Sequence, residues 1–157
     1  MNQKNDFHGH FEGILRYWER CRDRNQGGFH HLIDATGAVI SSPNRVLLIQ
    51  SRLLYNYAEG IRAGFAFCRD QADHLYDFLT ASLRTPGGWY ASLVDEKLAY
   101  PEALDTYMNL FVVIGMARYA QATGRRDARA EAWRLFHLIE EKTILGDLRR
   151  EGILGGW

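Results

Sequence analysis

A chain of 157 residues with 46% hydrophobic and 24% charged side chains is the size of one domain with a buried core, and its composition reads as ordinary soluble globular protein rather than as a disordered chain. Lys plus Arg and Asp plus Glu both number 19, so no net field draws in nucleic acid or an anionic membrane. Two cysteines, Cys21 and Cys68, in no ligand spacing argue against a disulfide framework or a zinc site and fit a reducing cytoplasm.

The start, MNQKNDFHGHF, lacks the apolar centre of a signal peptide. The most apolar run, Leu110 to Ala117, is far short of a membrane span, so a soluble cytoplasmic protein is expected. Residues 7 to 24 place Phe7, Phe11, Ile14, Leu15 and Trp18 at helical spacing with charges opposite, which predicts an outer helix. Asn25-Gln26-Gly27-Gly28 is expected to stop it, with glycine in the left-handed cap. Phe29 to Asp34 then reads as a short extended piece turned back at Gly37.

Ser42 is expected to cap a second helix, with Pro43 at its first position, running from about 43 to 65. Apolar residues surround it from Val46 to Ile61, so it reads as an inner, buried helix. A third helix, about 67 to 83, is one-sided and outer, ending at Thr85-Pro86-Gly87-Gly88. The fourth, from Pro101 to Thr123, is nearly all apolar and hence inner, with Gly124 as its cap. The fifth, about 127 to 142, is outer again. Arg125-Arg126 and Arg149-Arg150 read as solvated helix-end charges.

This alternation is an internal repeat. Gly27-Gly28-Phe29 leads to Leu32-Ile33-Asp34, and Gly87-Gly88-Trp89 leads to Leu93-Val94-Asp95 with one extra residue between; Gly155-Gly156-Trp157 is a third copy. The turns begin at 27, 87 and 155, with periods of 60 and 68 residues. The fold class expected is all-α: an incomplete toroid of about five helices in outer and inner hairpins, with β-like excursions at the Gly-Gly-aromatic turns. Such a repeat buries each inner helix against its neighbours, and this one stops where a third inner helix should begin. The chain is therefore expected to be a fragment, a truncated gene product or a piece that needs a partner, with inner-helix surface open to another chain or a second copy.

Three stretches, GGFHHLIDATGAV followed by Arg45 and QSRLLYNY, then GGWYASLVDE, then ALDTYMNLFVVIGMARYAQATGRRDARAEAWRLFHLIEE, resemble the N-acylglucosamine 2-epimerase family over essentially the whole chain. The resemblance implies an (α/α)6 toroid of which residues 1–157 would be the N-terminal part of a single truncated domain, supplying its first five helices, and an enzyme acting on a monosaccharide or disaccharide by 2-epimerisation or aldose-ketose isomerisation. The proton alpha to the open-chain carbonyl is removed, giving an enediol-like intermediate, and this calls for no metal or organic cofactor. The family's proton-transferring histidines lie on later inner helices, one in an Asn-x-His-Met-His-like motif absent here. None of the six histidines matches, so the chain carries no catalytic residue and is expected to be inactive alone.

Two residues match the family's sugar contacts. Arg52, in Gln50-Ser51-Arg52, corresponds to an arginine directed into the central cavity, and Tyr107, in Asp105-Thr106-Tyr107, to an aromatic hydroxyl in the same cavity. Where the family usually has a histidine two residues after that tyrosine, this chain has Asn109. On residue pattern alone, Arg52 also reads as a structural ion-pair partner, with Glu59 for example, and Tyr107 as core. Trp89 and Tyr90 read as a plug for their turn rather than a sugar platform. His30 and His31 face opposite ways in an extended segment and cannot chelate one metal. Two other functions stand beside the sugar reading: a non-catalytic half-toroid that binds itself or another chain, and a glycoside hydrolase. The hydrolase ranks last, because no spacing argument singles out Glu59 and Asp105 as a carboxylate pair.

Overall fold

The computed structural model describes residues 3–145, and the third Gly-Gly-aromatic turn and the Arg149-Arg150 pair lie outside them. Among the described residues the order is α1 (Gln3–Glu19), β1 (Leu32–Ile33), β2 (Val39–Ile40), α2 (Leu47–Arg62), α3 (Cys68–Phe78), β3 (Leu93–Val94), β4 (Lys97–Leu98), α4 (Thr106–Thr123) and α5 (Arg126–Ile139). Helix α3 widens into a π-helical turn at Leu79–Leu83, and α5 into another at Glu140–Leu145. The expected all-α, hairpin-repeat architecture with small β excursions is what the chain adopts.

Helices α2 and α4 lie side by side as the inner pair, and α3 and α5 pack outside them. Gly115 sets how close the inner pair approaches: a Cβ there would stand 2.7 Å from the Ser51 carbonyl oxygen of α2. The core runs between the two layers through Leu47, Leu54, Tyr57, Leu75, Leu79, Val112, Met116, Tyr119 and Leu135. Both cysteines are buried free thiols, and desolvation pushes Cys68 up to about 12.

Three helix boundaries differ from expectation, each for a local reason. Helix α1 stops at Glu19, before the glycines. The chain turns instead at Asp23, whose carboxylate accepts from Asn25 N at 2.8 Å and Gln26 N at 3.1 Å. Helix α2 starts at Leu47 rather than at Pro43. Ser42 Oγ accepts from Asn44 N at 3.1 Å in a tight turn, and the guanidinium of Arg45 takes up the Ser42 and Asn44 carbonyls. The first free N–H of α2 goes to Ser92 Oγ at 2.9 Å, a cap supplied by the next excursion. Helix α4 starts at Thr106, capped by Asp105 accepting from Met108 N at 2.9 Å, because Pro101 lies in a separate turn. Its far end closes on Gly124, φ 75°, as expected.

The repeat is visible in hydrogen bonds, one residue out of step with its letters. Bridges join Arg22 to Phe29 and Arg84 to Tyr90, and Gly28 and Trp89 carbonyls accept from Asp23 N and Thr85 N. Gly27-Gly28-Phe29 therefore superimposes in role on Gly88-Trp89-Tyr90. An inner-helix amide clasps each excursion: Gln50 brackets Phe29 (2.9 and 2.8 Å), and Asn109 brackets Tyr90 (2.8 and 3.0 Å). Gly28 must be glycine here, because its φ is 69° and a Cβ would meet Phe78 at 2.7 Å and Gln50 Oε1 at 3.0 Å. Trp89 and Tyr90 are buried, so they do plug the turn.

Arg45 ties the excursions to the inner helix. It is 1% exposed and ion-paired to Asp23, its Nε donates to Gly27 O at 3.0 Å, and its backbone bridges Leu93. His30 lies beside the pair, its Nε2 3.5 Å from Asp23 Oδ2, while Ser42 N donates to its Nδ1 at 3.3 Å.

Candidate functional site

Helices α2 and α4 present one continuous face. Arg52, Tyr55 and Glu59 recur at helical spacing on α2, and Tyr107, Phe111 and Arg118 on α4. At the end nearer the hairpins, the Arg52 guanidinium lies over the Phe111 ring, 4.5 Å from its centroid. The Tyr107 ring meets the same Phe111 edge-on at 5.2 Å and 74°. At the other end Arg118 pairs with Glu59 at 2.8 Å and lies over Tyr55 at 5.5 Å.

The two residues singled out in sequence therefore share one aromatic support. The ion-pair reading of Arg52 is overturned, because Glu59 is held by Arg118 and by Arg62 (3.1 Å), and Arg52 has no acidic partner among the described residues. The core reading of Tyr107 is overturned as well: in the first turn of α4, it is 60% exposed. Asn109, in contrast, is fully buried, its amide committed to Tyr90 and to Asp105 O at 2.9 Å. Its place in the family's histidine position is filled by a structural clasp.

Phe111 was not singled out in the sequence, where it is one of many apolar residues of the fourth, inner helix. Its signal is the spacing, one helical turn beyond Tyr107 on the same face. Four of the six histidines have partners that lie elsewhere: His8 packs on Phe65, His30 lies beside Asp23, His74 sits against Gly28, and His137 stacks on Trp133 and pairs with Glu140. Nor is Arg125 a merely solvated charge, since it pairs with Asp127, donates to Tyr119 Oη at 3.2 Å and covers the Tyr76 ring.

Elsewhere, a groove of about 810 Å³ between α4 and α5 is lined by Val113, Ala117, Ala132, Trp133 and Phe136, along with Arg126 and Arg129. Trp133 is 55% exposed and Ile114 of α4 48%. Among the described residues, no helix is long and apolar enough to cross a membrane.

An inner helix pair with an exposed arginine and tyrosine toward one end defines a protein of repeated α/α hairpins. The family model described as N-acylglucosamine 2-epimerase (GlcNAc 2-epimerase) matches residues 27–148, and the chain belongs to that family. It is 27% identical over 134 residues to a cellobiose 2-epimerase of Ruminococcus albus, covering 83% of this chain and 34% of that protein. It also resembles in fold the solved cellobiose 2-epimerase of Bacillus thermoamylovorans (TM-score 0.76, 22% identity, 87% of this chain and 37% of that one). A D-mannose isomerase structure is similar too (TM-score 0.78, 22% identity, 88% and 35%). The chain spans about a third of the length of the relatives it matches.

Proposed function

We propose that this chain is the N-terminal part of a carbohydrate 2-epimerase or aldose-ketose isomerase, and that its share of the sugar site is Arg52 and Tyr107. One observation carries the reading: Arg52 stands open on the Phe111 ring that Tyr107 also meets, with no acidic partner among the described residues, whereas Arg118 on the same face is paired with Glu59. An open guanidinium offers several N–H donors to sugar hydroxyls and would favour the negative charge of an enediolate formed by removing the proton alpha to the open-chain carbonyl. Tyr107 adds a hydroxyl that can donate or accept. The proton-transferring bases belong to the part of the family fold that this sequence does not match, so the chain alone is expected to bind sugar weakly and turn none over. The reaction needs no cofactor. The test is solvent deuterium exchange into C2 of mannose, glucose, N-acetylglucosamine and cellobiose, read by NMR, with Arg52→Ala as control. The expected result is no exchange by either form, with sugar-induced NMR shifts that Arg52→Ala abolishes; exchange by the wild-type chain would refute its catalytic incompleteness.

The groove between α4 and α5 favours a second reading, a half-toroid that associates through its open edge with a second copy of itself. An exposed Trp133 over an alanine-lined trough is the kind of apolar surface that a neighbour covers. Sedimentation at rising concentration tests it: self-association weakened by Trp133→Glu supports the reading, and a monomer at all concentrations removes it.

A further inference from the structure

We propose that Phe111 is a positioning residue for Arg52: its ring holds the guanidinium at the mouth of the face while leaving the N–H donors open. This rests on the sugar-site reading of Arg52. Two arginines on one seam are held in different ways. Arg118, which lies over the Tyr55 ring at 5.5 Å, also has its Nε on a carboxylate, Glu59 at 2.8 Å, and a terminal nitrogen donating to Gln121 Oε1 at 3.3 Å, so its charge is paired and donors are taken up. Arg52 is oriented by a ring, with its Cζ 4.5 Å from the Phe111 centroid, and has no acidic partner among the described residues. A guanidinium over a ring uses its face for the contact, and its donors, which lie in its plane, stay available to a ligand.

Without such a support, an exposed arginine samples many rotamers and each ligand contact must overcome that freedom. Phe111 supplies the order without consuming a hydrogen bond. Tyr107 at 5.2 Å on the same ring fixes the second polar group relative to the first, so one side chain sets the spacing of both. Phe111 is half-buried and outside the fully buried core, so a change to leucine keeps the helix pairing.

The experiment is NMR of the full 157-residue chain with labelled arginine, as wild type, Phe111→Leu and Phe111→Tyr, with Arg52 assigned by Arg52→Lys. Thermal melts verify that each variant is folded. The expected result is that Arg52 Hε and Hδ lie upfield through the ring current in wild type and Phe111→Tyr, and return to exposed-arginine positions in Phe111→Leu. Titration with cellobiose and N-acetylglucosamine should then show affinity about two- to five-fold weaker in Phe111→Leu, restored in Phe111→Tyr. Arg52 resonances that do not move in Phe111→Leu overturn the proposal, as does an affinity unchanged when the upfield shift is lost. A shift that depends on Phe111 in a chain no sugar perturbs upholds the orientation and refutes the sugar reading instead.

Discussion

The side-chain amide of Gln50 clasps the backbone of Phe29 on both sides, accepting from its N–H at 2.9 Å and donating to its carbonyl at 2.8 Å. Asn109 repeats the clasp on Tyr90 one hairpin later. Both amides are fully buried, so each replaces water for two backbone groups that have no other route to satisfaction. Gln50→Leu and Asn109→Leu are each expected to cost about 2–4 kcal/mol in urea unfolding, since two buried polar groups are orphaned at once. A loss below about 0.5 kcal/mol would mean the excursions are held by other contacts.

The Asp23–Arg45 pair is the other tie between excursion and inner helix, at 10% and 1% side-chain exposure. Removing one member of a buried pair strands the other, so Arg45→Met is expected to destabilise by about 3–5 kcal/mol. Asp23→Asn, which keeps the turn-forming oxygen, should cost less. Equal losses in the two variants would argue that charge, not turn geometry, dominates at Asp23.

Stability should fall in two stages as pH drops. Burial, then the nearby Arg22, holds His74 below the usual histidine range; burial, then Arg45 and His30, does so for His31. A lowered folded value means the unfolded chain binds more protons, so this contribution is complete above about pH 6.5 and is lost as the pH falls below it. Burial works to raise Asp23, but the Asn25 and Gln26 N–H groups and Arg45 together hold it below the usual carboxylate range. Its contribution persists until about pH 4 and fades below. Urea midpoints between pH 8 and 3 check this, and a midpoint constant from pH 7.5 to 5.5 would contradict the histidine stage.

Two glycines predict opposite signs. Gly115→Ala pushes a methyl against the Ser51 carbonyl at 2.7 Å and must separate the inner helices, at a cost of about 1–3 kcal/mol. Gly13→Ala lies on the exposed side of α1 with nothing within 4 Å, and should stabilise by up to about 1 kcal/mol. Thermal melts of the two variants decide; a neutral Gly115→Ala would show that the inner pair is more yielding than its spacing implies.

Helix number, inner and outer character and the hairpin repeat were legible in the sequence, because they follow from local apolar periodicity and from glycine punctuation. The starts of α2 and α4 were not, since Ser92 and Arg45 decide the first of these and both act through contacts from distant segments or carbonyls. Nor could the repeat's true register be read from its letters: Trp89 replaces Gly28 in role because hydrogen bonds, not residue names, set the match. At the site, family motifs singled out Arg52 and Tyr107 one by one. Tertiary structure alone decided that Phe111 joins them, that Glu59 belongs to Arg118, and that Asn109 is a clasp. Periodicity reports which face of a helix a residue occupies, while partners are chosen only where two such faces meet.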